Sequence, residues 1–117
     1  MSIDEVMARI RQFRDARDWM QFHNPKDMAT AICIESAELL EHFLWKTPDE
    51  SQSHAVEHKE AVSDEIADIA IYLFELSDNL DIDLPAAMGR KLEKNAVKYP
   101  INRSRGTHRK YSELSES

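Results

Sequence analysis

Acidic side chains recur in this chain at a spacing that can gather them. The stretch "AICIESAELLEHFLW", residues 31–45, carries Glu35, Glu38 and Glu41 inside an apolar run. At about 100° per residue, Met28, Ala31, Ile32, Leu39 and Phe43 form one apolar helix sector. Glu35 falls inside that sector, Glu38 at its edge, and Glu41 further round. The stretch "AVSDEIADIAIYLFELSDNL", residues 61–80, repeats the arrangement. Val62, Ile66, Ile69, Ala70, Leu73 and Leu76 make an apolar stripe expected to be buried. Glu65, Asp68 and Tyr72 run along its flank. Residues three apart on a helix are neighbours, roughly 5–6 Å between Cβ atoms. Two antiparallel helices, each presenting acid-x-x-acid, can therefore bring four carboxylates around one small volume.

Four carboxylates cannot share a partly buried volume as anions without cations. The hard cation that suits an all-oxygen site, and that also binds phosphates, is Mg²⁺. Such an ion polarises a phosphoryl group and activates water. The same spacing also describes a solvated acidic face, the natural reading of Glu57 and Glu60, and on spacing alone both readings stay open. A di-iron site is disfavoured, because bundles of that kind use Glu-x-x-His and none of the five histidines stands in one.

The elements that must position these acids are helical. Ser2 and Glu5 fit a capping box for a first helix reaching about Asp18, with Ile3, Val6, Met7, Ile10 and Phe13 at helical spacing. "DWMQFHNPKD" breaks the pattern. Asn24 can then cap, and Pro25 can open, a second helix to about Lys46. Thr47, Pro48 and Glu50 form another start signal. The polar segment after them reads as a short helix or as the approach to a third one, which runs from about Val56 to Asn79. Asp83 and Pro85 open a fourth helix ending near Tyr99. With two glycines, four prolines and no convincing strand, the chain reads as all-α: a four-helix bundle-type domain over residues 1–100 and a basic, irregular tail over 101–117.

Composition narrows the function classes. A chain of 117 residues makes one small domain, for which oligomerisation is a reasonable way to complete the core. A formal charge of −7 argues against a nucleic-acid polymer as partner. Cys33 is the one cysteine, so no intrachain disulfide forms, and its apolar surroundings predict a buried thiol. No apolar run approaches the ~20 residues that span a bilayer, and the N-terminal segment lacks a signal-peptide core. The expectation is a cytoplasmic protein away from membranes.

"ESAE" followed by "EIAD" resembles the E-x-x-E … E-x-x-D signature of the all-α nucleoside triphosphate pyrophosphohydrolases, the MazG-like group. "RDWMQFHNPKDMATAICIESAELLEHFLWK", "DEIADIAIYLFELSDNLDIDL", "KLEKNAVKYP" and "RKYSEL" resemble the branch that contains the dCTP pyrophosphatases. The resemblance implies Mg²⁺-dependent hydrolysis of a nucleoside triphosphate to monophosphate and pyrophosphate, as nucleotide-pool cleaning on a dCTP-like or modified pyrimidine substrate. It implies Glu35, Glu38, Glu65 and Asp68 as metal ligands. It implies Trp19, His23, Trp45, Tyr72, Lys91, Asn95, Lys98 and Tyr99 in or near the nucleotide pocket. Where vertebrate dCTP-hydrolysing relatives carry a histidine near the base, this chain has Ile10. The resemblance also implies a homodimer or homotetramer with pockets built by more than one chain. Glu38, then Glu41, is the candidate for orienting the attacking water. Rival readings are a relative acting on phosphoribosyl-ATP or dUTP, and a non-catalytic helical module that senses nucleotides or bridges partners.

Arg103, Arg105, Arg109 and Lys110 make the tail basic in an acidic chain. A tail that folds over a pocket, its own or a neighbour's, helps hold a triphosphate. Truncation after Pro100 is expected to raise the Michaelis constant for nucleotide, and unchanged steady-state kinetics would dismiss that role.

Overall fold

The computed structural model describes residues 1–114, and every regular element among them is helical. The chain divides into two compact units, Met1–Asp81 and the segment from Ile82 on.

In the first unit, α1 spans Ile3–Ala16. Its capping box forms as the sequence suggests: Glu5 N–H donates to Ser2 Oγ at 3.1 Å, and Ser2 N–H to Glu5 Oε2 at 3.3 Å. A short 3₁₀ turn at Met20–Phe22 follows. The helix α2, Pro25–Glu41, begins at Asn24, whose side chain accepts from Asp27 N–H at 2.9 Å. It ends earlier than its apolar pattern predicts. Beyond Glu41 the bonds tighten to three-residue closures, Phe43 N–H to Leu40 O and Lys46 N–H to Phe43 O. Trp45 then takes a left-handed conformation, φ 63°, which no α-helix continues through. Trp45 therefore stands outside α2.

The polar segment forms a separate helix, α3, Pro48–Glu57, with a Thr47–Glu50 capping box. The helix expected from Val56 instead starts at Lys59, and α4 spans Lys59–Asn79. Of the two readings of this segment, a short helix is the one that forms. A histidine cluster accompanies the break. His42 Nδ1 and His54 Nε2 lie 2.9 Å apart, and the His54 and His58 rings stack at 4.2 Å. One nitrogen of the His42–His54 pair must be unprotonated to accept. Burial, then the neighbouring His58, correspondingly pushes the His54 pKa down.

α1, α2 and α3 all pack on α4. The buried apolar core of the described residues is small: Ile10, Met28 and Val62, with Met28 only 1% exposed. Two expectations fail here. Ile66 and Leu73, placed in the buried stripe of α4, are 53% and 42% exposed. The other members of the stripe are covered as expected, Val62 buried and Ile69, Ala70 and Leu76 half-buried, and the packed face extends from them round to Glu65 and Tyr72, which are half-buried too. Cys33, expected to be buried, is exposed. It sits about 140° round α2 from Met28, on the side away from the core.

Polar contacts fasten α1 to the end of α4. Arg11 grips Asp78 through two bonds of 2.8 and 2.7 Å, and Arg14 Nη1 donates to Asn79 Oδ1 at 2.9 Å. None of the helices in the described residues is long and apolar enough to cross a membrane.

The second unit holds α5, Leu84–Lys98, begun by the Asp83 cap and Pro85. Its bounds match the sequence reading. A four-residue helix, α6, Ile101–Ser104, and a 3₁₀ turn at Tyr111–Glu113 punctuate the tail. Tyr111 meets Tyr99 edge-on at 6.2 Å and sits under Lys98 Nζ at 4.9 Å. Residues 115–117, the end of the tail read as irregular, lie outside the described residues.

Met28 carries much of so small a core. Met28→Ala is expected to lower the unfolding free energy by about 2–5 kcal/mol, read as an earlier midpoint in a urea titration.

Candidate functional site

The inner faces of α2 and α4 bring acids together. Glu35 and Glu38 from α2 and Glu65 from α4 each place a carboxylate oxygen within 4.8 Å of the others. Glu38 is the exposed member, at the rim. Asp68 sits one turn beyond Glu65, acts electrostatically on Glu35 and Glu65, and lines the adjoining cleft together with Glu35. Glu41 is exposed, about 60° further round α2 than Glu38, and stands outside this group.

Two of the gathered oxygens, Glu35 Oε2 and Glu65 Oε2, are buried without a hydrogen-bond partner. An orphaned buried acceptor costs free energy unless a cation or a donor reaches it. Without one, the cluster holds a proton. Burial first, then Glu38, Asp68 and Glu65, push the Glu35 pKa up from 4.5 to about 7. Burial, then Glu38, also raises that of Glu65. Hard oxygen donors, three together and one beside them, with two bare and buried, suit a divalent cation.

A cleft of about 470 Å³ adjoins the acids. Ile10 and Phe13 of α1, Trp19 and His23 of the connecting loop, and Ile71 and Tyr72 of α4 line it along with Glu35 and Asp68. Phe13 and Trp19 meet edge-on at 5.7 Å, so the apolar wall is aromatic. Burial, then Glu35 and Asp68, raise the Tyr72 pKa, so the phenol keeps its proton as a donor.

The structure brings Trp19, His23 and Tyr72 to one cleft with Glu35 and Asp68. It leaves Trp45 elsewhere, 93% exposed in its turn. Lys91, Asn95, Lys98 and Tyr99 belong to the second unit, on α5 and just after it. Sequence reasoning missed Glu75. It is 4% exposed, lines the cleft, and accepts from His23 Nδ1 at 2.7 and 2.9 Å and from Asn79 Nδ2 at 3.0 Å. The signal was present, since Asp68, Tyr72, Glu75 and Asn79 follow one another at helical spacing.

Comparison with known proteins agrees with this geometry. Residues 30–114 match the MazG-like family. The chain is 36% identical over 115 residues to dCTP pyrophosphatase 1 of Rattus norvegicus, covering 97% of this chain and 68% of that protein. It is 35% identical over 115 residues to the Homo sapiens protein of the same name, with the same coverage. The crystal structure of a pyrophosphatase from Archaeoglobus fulgidus superposes with a TM-score of 0.81 at 45% identity, covering 83% of this chain and 91% of that one.

The cluster predicts a pH signature. Glu35 titrates near 4.5 unfolded and at about 7 folded, so between those values the native state binds more protons. Its contribution is full below about 4.5 and is lost as pH rises through about 7. His54, pushed down, acts in the opposite sense, with stability gained as pH rises through its range. Comparing the chain with Glu35→Gln isolates the first effect. In chelator, the variant is expected to gain thermal stability over the native chain between pH 5 and pH 8. Added Mg²⁺ should raise the native midpoint more at pH 8 than at pH 5, and equal shifts in melting scans would contradict this.

Proposed function

The chain belongs to the MazG-like family, and on that premise we propose that it is a nucleoside triphosphate pyrophosphohydrolase. Its substrate on this reading is a dCTP-like or modified pyrimidine deoxynucleotide, and its role is nucleotide-pool cleaning in the cytoplasm. The observation that carries the reading is the pair of partnerless buried oxygens, Glu35 Oε2 and Glu65 Oε2, beside a cleft of nucleotide size.

Glu35, Glu38, Glu65 and Asp68 are the residues that would hold Mg²⁺. Bound there, the ion offsets phosphate charge and makes a water acidic enough to attack at neutral pH. The reaction adds water to the α-phosphorus and breaks its bond to the bridging oxygen, so that pyrophosphate leaves and the monophosphate remains. Glu38, the exposed acid of the cluster, is our first candidate to orient the water and take its proton; Glu41, further round, is the second. Tyr72 donates its hydroxyl to a sugar or phosphate oxygen. Phe13 and Trp19 offer the base an aromatic wall, and His23 a polar edge.

A homodimer or homotetramer completes the assembly. Ile34 and Leu40 on α2, and Ile66 and Leu73 on α4, remain exposed, a surface that association would cover. Trp45, fully out in solvent, is then available to stack on a base held by a second copy.

A panel of dCTP, dTTP, dUTP, ATP and phosphoribosyl-ATP, assayed for pyrophosphate release with Mg²⁺ and with chelator, tests the activity. Metal-dependent release from a pyrimidine deoxynucleotide is expected. Glu65→Gln should lower kcat about 100-fold or more, with nucleotide binding retained. Release from none of these would leave a non-catalytic nucleotide-binding module as the better reading.

A further inference from the structure

Glu75 is the one charged side chain among the described residues that is fully buried. A buried charge is costly and is tolerated where partners hold it. Here the partners are an ordered chain. Arg14 Nη1 donates to Asn79 Oδ1 at 2.9 Å, and Asn79 Nδ2 donates to Glu75 Oε2 at 3.0 Å. His23 Nδ1 lies 2.7 and 2.9 Å from the two Glu75 oxygens, and because a carboxylate only accepts, that nitrogen carries the proton. None of these groups belongs to the acid cluster of Glu35, Glu38 and Glu65. Packing does not require them, since an apolar residue would fill the same space without desolvating a charge.

Their position gives them a use. Arg14, His23 and Glu75 line the same cleft as Glu35 and Asp68. Along α4, Glu75 lies seven residues beyond Asp68, about 10 Å at 1.5 Å per residue, with Tyr72 between. That is about the reach of a nucleotide from its α-phosphorus to the far edge of its base. With the phosphates at the acids and the sugar beside Tyr72, the base edge arrives at Glu75. Ile10 and Phe13 line the same cleft and offer that edge no hydrogen bond; of the donors that line it, Arg14 bonds Asp15 and Asn79, His23 Nδ1 bonds Glu75, and Arg9 reaches the Met1 sulfur.

We propose that Glu75, fixed by His23 and Asn79, is the specificity residue of this cleft and selects bases that present an exocyclic amino group. A carboxylate has about four lone-pair positions. His23 and Asn79 occupy the inner ones, and Oε1, which accepts only from His23, keeps capacity for one donor more. The 4-amino group of cytosine donates there. The 4-oxo group of uracil or thymine brings a second acceptor against a buried anion, with no proton between them. A site built to bond a substrate N–H rejects an analogue without it far more strongly than an apolar pocket does. This inference rests on the pyrophosphohydrolase reading above and adds to it the group that reads the base.

The first test uses the native enzyme with Mg²⁺ and compares kcat/KM for dCTP, dUTP, dTTP and the triphosphate of 2-pyrimidinone deoxyriboside, which keeps the cytosine shape without its amino group. The expected result is a preference for dCTP of about 100-fold or more over all three. The second test is Glu75→Gln, whose amide can turn either a donor or an acceptor to the base. The dCTP/dTTP ratio should fall by at least about tenfold in the variant, with Mg²⁺ dependence kept. Circular dichroism checks the variant's fold; the substrate series stands without it. Rates within threefold for dCTP and the 2-pyrimidinone analogue would overturn the assignment of Glu75 while leaving the pyrophosphohydrolase reading intact. No metal-dependent release from any nucleotide would overturn both.

Discussion

Mutual repulsion among carboxylates that the fold forces together governs this molecule. Glu35, Glu38 and Glu65 converge because α2 and α4 pack along the faces that bear them. The contact that builds the bundle is therefore also the contact that concentrates negative charge. A proton on Glu35, whose pKa is pushed to about 7, is one relief, and a divalent cation is the other. Separating the helices to relieve it would expose Met28 and Val62, which lie on these same helices and are two of the three buried apolar residues among those described. The site is held under electrostatic load by the same packing that gives the chain its fold. This is how a small helical protein can present bare oxygens to a ligand instead of burying them in salt bridges.

The helix α4 orders the rest. Its acids, Glu65 and Asp68, face the cluster; Tyr72 follows a turn later, and Glu75 and Asn79 continue the line toward the α1 contact. One helix face thus grades from clustered carboxylates, through a phenol donor, to a buried carboxylate. α1 supplies the opposite wall with Ile10 and Phe13, and fixes its own position by Arg11–Asp78 and Arg14–Asn79. Arg14 serves both tasks, since the amide it holds in place also holds Glu75. Anchoring the helix and orienting the cleft's polar edge are one network.

Much of this was legible in residues. The caps at Ser2, Asn24, Thr47 and Asp83 formed as their types suggested, because capping is a local exchange between a side chain and a nearby N–H. The acid spacing was legible for the same reason, since helical periodicity needs no tertiary information. What failed depended on neighbours. The apolar stripe of α4 was read from hydrophobicity alone, which could not show that its packed face extends round to Glu65 and Tyr72. Cys33 was assigned by its apolar context, while α2 has apolar residues on two sides and only one faces the core. The break at His58 separates two segments that each look helical. Glu75 was passed over because an isolated Glu late in a helix has no partner in its own sequence window; His23 lies 52 residues away.

The outer faces of α2 and α4 complete the physical picture. The helices that carry the acids inward carry Ile34, Leu40, Ile66 and Leu73 outward, all left exposed. Among the described residues only three apolar side chains are buried, so the inner geometry rests on little apolar contact. Covering the outer faces would add apolar burial to the two helices whose separation sets the carboxylate spacing. Association would then stiffen the carboxylate cluster, whose three acids come from one chain. A second copy and a cation would act on the same pair of helices in different ways. Apolar contact would press them together from outside, while charge neutralisation would remove what drives them apart within.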